Sequence, residues 1–400
     1  MAEIQKRKIL WVITLLISIC LFSLPIQAQY GGGGGTAENP YLIYTAEQMN
    51  EIGLLEADWD KHFKLMSDID LSENTGTEYN VIGTDMDNRF TGVFDGNGHT
   101  ISHFSYSSTD RSYIGIFGCV GAQFEKGEIR DLGLIDPNVY AGTGSCVGSL
   151  VGYFGDGTIS GCYAEGGIIS GSNKVGGLVG GNGGTLTNCY ATGTVSGTSE
   201  SWYGGTGGMA GFNSCRMINC YSMADVWGNQ TAGGLLGMNS GHVITCYSTG
   251  SVSGNRNIGG LVGIRWGGTT RDSFWDTQVI GKASGDDGTS KTTAEMQTMS
   301  TFIEAGWDFA GESANGSEEI WSICEGTNYP RFTWQISEGD FICPDGITTA
   351  DYIFFLEHWG DDNCEQGNDY CEGTDLDING TVDADDLAIF FEIWLADVDN

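Results

Sequence analysis

The sequence predicts a mainly β protein: a parallel, right-handed β-solenoid with short capping helices, followed by a small α-helical module built on acidic loops. Three observations carry this. A unit of about 27 residues recurs through the middle of the chain. Glycine supplies 64 of the 400 residues and proline only 5, with no Gly-X-Y period, which indicates a tightly turned repeat and not collagen or disorder. From Glu338 to Asn400 there is no Lys or Arg, and carboxylates cluster before two aromatic-rich helical runs.

The elements follow in chain order. Lys6, Arg7 and Lys8 precede the apolar run Ile9–Leu24, and Ala28 offers a small residue for cleavage. Residues 1–28 therefore read as a secretory signal peptide. The apolar run is short for a membrane span, and Pro25 follows it. Loss of Lys6, Arg7, Lys8 and Glu3 takes the net charge from −35 to −37. Such a chain is a poor partner for nucleic acid or an anionic membrane. It suits an extracellular or cell-surface setting and divalent cations.

Residues 29–112 read as an N-terminal cap with the first solenoid strands. Thr45-x-x-Gln48 is a capping box opening a short helix, and "DGNGHTI" (Asp95–Ile101) is a sharp turn. Residues 113–276 hold the repeats. "TISGCYAEGGIIS", "TLTNCYATGTVSG", "RMINCYSMADVWG" and "HVITCYSTGSVSG" align on Cys162, Cys189, Cys220 and Cys246, at spacings of 27, 31 and 26. Six residues after each Cys stands a β-branched residue: Ile168, Val195, Val226, Val252. Ahead of them run "VGSLVG", "VGGLVG", "GGMAG" and "AGGLLG", with "IGGLVG" after the last and a divergent "YIGIFG" before the first. Ala191, Gly193, Val195 and Gly197 alternate with Thr192, Thr194 and Ser196, the period of a strand with one face buried. A coil of this size must pair its backbone with the coils above and below, so the four cysteines should stack about 4.8 Å apart. That spacing suits a ladder of small apolar side chains better than disulfides. Eleven cysteines remain beyond the signal segment, an odd number that leaves a free thiol or an intermolecular link. Residues 277–335 read as a C-terminal cap, opened by a second capping box at Thr292-x-x-Glu295.

The "GGLVG…NCYATG.VSG" units resemble the GLUG repeats of bacterial exported proteins, over roughly Tyr113 to Trp275. "GTAENPYLIYTAEQMNEIG", "FTGVFDGNGHTISHF" and "KTTAEMQTMSTFIEAGWDF" resemble the lead-in and close of that group. The resemblance implies a secreted or surface protein and brings no catalytic residues.

The solenoid carries no clear catalytic set. Asp156, Asp225, Asp272 and Asp276 occupy different places in their repeats and do not stack as a glycosidase pair would. Lys174, Arg216, Arg256, Arg265 and Arg271 are scattered where a lyase would need one placed base. No H-E-x-x-H occurs, and His99 and His103 read as surface histidines. Trp202, Tyr203, Trp227 and Trp266 are candidates for stacking on sugar rings, or for closing corners.

Near the C-terminus, "DLDINGTVDADD" carries oxygen ligands at EF-hand spacing: Asp375, Asp377, Asn379, the Thr381 carbonyl, Asp383 and Asp386, with Gly380 at the turn. Calcium takes such hard oxygen donors at flexible distances. Position twelve is Asp in place of the usual Glu. "DYIFFLEHW" matches "DLAIFFEIW" thirty-five residues later, and "DFICPDGITTAD" precedes it. The module is thus a tandem repeat of loop and helix. In the first loop Asp340, Asp345 and Asp351 remain as ligands, while Ile342 and Pro344 fall where side-chain ligands are expected.

This arrangement resembles a type I dockerin over 338–400. The resemblance implies Ca2+, a cohesin-type partner, and recognition through Thr349, Ala350, Ala384 and Asp385. Cys343, Cys364 and Cys371 are placed to staple a small module; one of them must find Cys324 or stay free. The function expected is that of a secreted, non-catalytic binding or adhesion protein. Its solenoid contacts glycans or surfaces, and its docking module joins a polysaccharide-degrading or cell-surface assembly. The alternatives are a carbohydrate-active enzyme, glycoside hydrolase or polysaccharide lyase, with its site on the solenoid, and an inert surface spacer.

Overall fold

The computed structural model describes residues 30–280, 287–336, 339–343, 346–365 and 369–398. The expected signal peptide and the candidate ligand Asp345 lie outside them.

The chain winds into a parallel β-solenoid of about eight turns. Every solenoid strand pair named here is parallel, and each inward ladder holds one register from coil to coil. On the widest face Phe63, Phe94, Ile129, Ile159, Leu186, Met217 and Val243 stack as paired neighbours, and all are fully buried. On a six-stranded face the ladder is Tyr106, Val139, Ile169, Val195, Val226, Val252.

The latter ladder corrects one expectation. Ile169, not Ile168, pairs with Val195, and Ile168 is 55% exposed. The turn Gly166–Gly167, both residues left-handed, holds one residue more than its successors, so a fixed count from Cys162 lands on the wrong face.

The "GGLVG" units form a corner. Leu150, Leu178, Met209, Leu235 and Leu261 point inward with no exposure. Four of these are preceded by a glycine, held close to the next coil, and Leu150 is preceded by Ser149, whose hydroxyl donates to the Gly177 carbonyl at 2.6 Å. A Cβ on Gly177 would sit 2.2 Å from the Gly208 carbonyl oxygen, and one on Gly208 would sit 2.3 Å from that of Gly234.

The four cysteines stack as expected. Cys162, Cys189, Cys220 and Cys246 are fully buried free thiols. Each Sγ reaches the carbonyl two residues back, at 3.3, 3.2, 3.2 and 3.1 Å. Burial pushes the Cys162, Cys189 and Cys220 thiols up, so they stay protonated and act as small apolar side chains.

The N-terminal helix Ala46–Ile52 starts at Thr45, whose side chain accepts from the Gln48 amide. Gln48 returns the bond to the Tyr44 amide at 2.8 Å, one residue earlier than the expected box. The box at Thr292 and Glu295 is complete. The segment behind it does more than cover the last coil. Phe302, Trp307, Phe309, Trp321 and Phe332 pack against Tyr190, Tyr221, Tyr247 and Phe274, so the cap folds back along the flank of the rod. A disulfide joins Cys324 to Cys343, tying that cap to the C-terminal module, and a second joins Cys364 to Cys371.

Candidate metal centre

The C-terminal module is built on a small core of Ile347, Phe355, Val382 and Phe390, with both cysteines of its internal disulfide. Its helices Thr349–Glu357 and Ala384–Val398 each follow an acidic loop, and the two loops share a pair of hydrogen bonds to the last aspartate. In the first, Asp351 accepts from the amides of Ile342 at 3.0 Å and Thr348 at 2.8 Å. In the second, Asp386 accepts from Asp377 at 3.0 Å and Asp383 at 2.8 Å. The first loop aspartates differ by one position: Asp340 accepts from Gly346, seventh in its loop, and Asp375 from Gly380, sixth in its own. Ile347 and Val382 occupy the same position in the two loops and are both buried. That apolar anchor was not singled out from sequence, although its signal, an aliphatic residue at position eight of each loop, is visible there.

The loops differ in their donors. One carboxylate oxygen from each of Asp375, Asp377 and Asp386 lies within 4.8 Å of the others, the one such group of three among the described residues. Asp375 and Asp386 are buried at 2% and 0% exposure. Three converging carboxylates, two of them out of water, repel one another unless a cation stands between them. Asn379 bonds Asp377 and Thr381 and so holds the turn. Asp383 is exposed and accepts from the Asp385 amide at 2.9 Å. The donor set is all oxygen, with neither His nor Cys, which suits a hard cation such as calcium and not zinc. In the first loop Ile342 is exposed where the second has Asp377. There Asp351 serves as the N3 carboxylate of a complete capping box with Thr348.

The predicted recognition residues are all exposed and open the two helices: Thr349 and Ala350 on one, Ala384 and Asp385 on the other.

The solenoid candidates do not converge. Asp276 is buried and accepts from Thr293 Oγ1 at 2.7 Å and the Tyr329 hydroxyl at 2.8 Å, pinning the cap. Asp225 accepts from the Ser251 amide at 3.1 Å, Asp156 from that of Gly157, and Asp272 pairs with Arg271. His99 and His103 meet Asp68 and Asp70 at 3.2 and 2.9 Å on the surface. Trp202, Tyr203, Trp227 and Trp266 are exposed, and Tyr203 lies 5.2 Å from Trp266.

Residues 171–196 match the family described as the GLUG motif. The chain is 40% identical over 127 residues to a "Putative Gly-rich membrane protein" of Evansella cellulosilytica. That match covers 31% of this chain and 14% of the relative. It is 33% identical over 153 residues to "Halomucin" of Haloquadratum walsbyi, covering 37% of this chain and 2% of that one. The chain thus spans less than a sixth of either relative. A crystal structure of a "putative immunoglobulin A1 protease" from Bacteroides ovatus shares the fold, with TM-score 0.55 and 20% identity over 76% of this chain and 96% of that one. No helix among the described residues is long and apolar enough to cross a membrane.

Proposed function

We propose that this chain is a non-catalytic, secreted or cell-surface β-solenoid rod, fastened to its partner by a calcium-ordered, dockerin-like module. The observation that carries the reading is the convergence of Asp375, Asp377 and Asp386 in a loop that supplies only oxygen donors. Calcium fits this loop better than magnesium, because magnesium keeps several of its waters and takes one or two carboxylates, whereas this loop offers six candidate protein oxygens. Bound there, the ion cancels the repulsion among the three carboxylates. It orders the turn before the Ala384–Val398 helix, and with it the exposed pair Ala384 and Asp385. The first loop repeats the two amide bonds to its last aspartate with fewer donors, so it is held largely through its own capping box. The partner proposed is a cohesin-type module, met by the first turns of both helices. The repeat match and the Gly-rich relatives support a surface or secreted rod, and the rod's long regular faces suit contact with a glycan.

Calcium titration of the full chain by calorimetry tests the centre, with Asp375→Ala/Asp386→Ala as comparison. The parent is expected to bind one ion tightly and the double variant to lose that site. Equal binding by both rules out the centre. A calcium-dependent complex with a cohesin module, absent in the double variant, tests the docking role.

A further inference from the structure

One ladder on the wide face ends in an opening. Phe274, Tyr247, Tyr221, Tyr190 and Tyr163 are successive paired neighbours. The four tyrosines stack with centroids 4.9 Å apart and planes within 4° of parallel. The next rung is Gly133, and the one after it Thr100. The aromatic ladder therefore stops at Tyr163, which leans over Gly133 so closely that a Cβ there would meet its ring at 2.3 Å. The cap covers the ladder as far as Tyr190 and ends in Trp334, 46% exposed and 5.7 Å from Tyr163. Where ladder and cap both run out there is a cleft of about 920 Å³.

We propose that this cleft is a saccharide-binding site for neutral or amino sugars. The proposal rests on the glycan-contacting part of the reading above and names the place where that contact occurs. Trp334 and Tyr163 form an aromatic wall with planes 33° apart, a surface on which the apolar face of a pyranose ring can stack. Asp95, Asp131 and Glu165 line the same cleft. Asp95 is held by Arg130 at 2.8 Å. Glu165 accepts from the Tyr190 hydroxyl at 2.5 Å, which holds one of its oxygens in place. Asp131 sits in a left-handed conformation, φ 51°, and its carboxylate lies over Gly161, where a Cβ would come within 2.6 Å of it. Fixed carboxylate oxygens are acceptors for neighbouring sugar hydroxyls. Arg331 lines the same cleft and makes no ion pair among the described residues. The balance of charge stays negative, which disfavours uronic acids and favours a sugar ammonium.

The test is binding of the full chain to short oligomers of glucosamine, glucose and galacturonic acid. It compares Trp334→Ala, Asp131→Asn and Glu165→Gln with a Tyr203→Ala/Trp266→Ala control at the separate exposed pair. The two carboxylate changes preserve shape, and Asn tolerates the left-handed backbone. Trp334→Phe keeps a ring and should restore most of the binding. The expected result is binding of the glucosamine and glucose oligomers over galacturonate. Each cleft variant should weaken it about tenfold, with the control unchanged and thermal midpoints intact. If cleft variants bind like the parent while the control loses binding, the glycan-contacting rod stands and the cleft site falls. If the parent binds none of the three, both fall, and the calcium-dependent docking role is untouched.

Discussion

Thr245 holds a backbone conformation that β-branched residues avoid, φ 50°. It stands in a row of left-handed residues where the wide face bends: Asp131, Gly161, Asn188, Asn219, Thr245 and Asp272. Gly, Asn and Asp reach that region at little cost and Thr does not. Its hydroxyl bonds to Asn219 Oδ1, as Asn219 Nδ2 bonds to Asn188 Oδ1 at 3.2 Å, so the row is also a hydrogen-bonded ladder. Thr245→Asn keeps the ladder and relieves the backbone. It should stabilise the solenoid by about 1 kcal/mol, read as a higher thermal midpoint; a lower one would show that the hydroxyl bond outweighs the strain. Asp386 is the counterpart in the C-terminal module. It is fully buried and accepts two loop amides. The two amides use different oxygens, so Asp386→Asn should keep one of the two bonds, loosen the loop and lower calcium affinity by at least tenfold, whereas Asp386→Ala should lose both bonds and the ion.

At the scale of the element, the tyrosine ladder joins rod to cap. Tyr221 is stacked on both faces, and its hydroxyl donates to Gln335 Oε1 at 2.9 Å. Tyr221→Ala should cost about 3–5 kcal/mol and expose residues 293–335 to protease before the coils themselves yield. Simultaneous cleavage of cap and coils would mean that the two unfold as one unit. The ladder also predicts a response to base. Burial, with nearby carboxylate charge, pushes Tyr163 up to about 12, and burial with its Asp276 bond does the same for Tyr329. Tyr190 and Tyr221 are pushed up further, mainly by burial. A phenol whose pKa is raised by folding favours the unfolded state once unfolded tyrosines begin to ionise. Stability is therefore full below pH about 10 and falls as pH rises through about 12. Ultraviolet titration should show these phenols ionising together with loss of β circular dichroism, later than the exposed tyrosines.

At the scale of the whole molecule, rod and module draw stability from different sources. The rod is a stack of buried ladders, and the one group of three converging carboxylates among the described residues lies outside it. The module has a core of few residues and leans on two disulfides and, on the proposed reading, a cation. Chelation of the full chain should therefore lower only one of two thermal transitions, the smaller one. The Asp375→Ala/Asp386→Ala variant should show that lowered transition without chelator. A single transition that ignores chelator would remove calcium from the account.

The repeat, its inward residues and the oxygen spacing of the second loop were legible in the sequence, because each is a local pattern with a fixed period. Ile168 shows the limit: one extra residue in a glycine turn moved the inward position to Ile169, and only strand pairing reveals a shift of register. The cleft shows the larger limit. Its signal was present as a Tyr or Phe after each aligned Cys or Ser, with Gly133 one rung before the first. Reading it as an opening requires knowing that the cap turns back along the rod and ends at Trp334. Period and spacing belong to neighbours along the chain, so the sequence by itself determined the solenoid and the donor-bearing loop. The cleft is formed by residues from Asp95 to Gln335, more than two hundred positions apart, and only coil stacking and the returning cap bring them together.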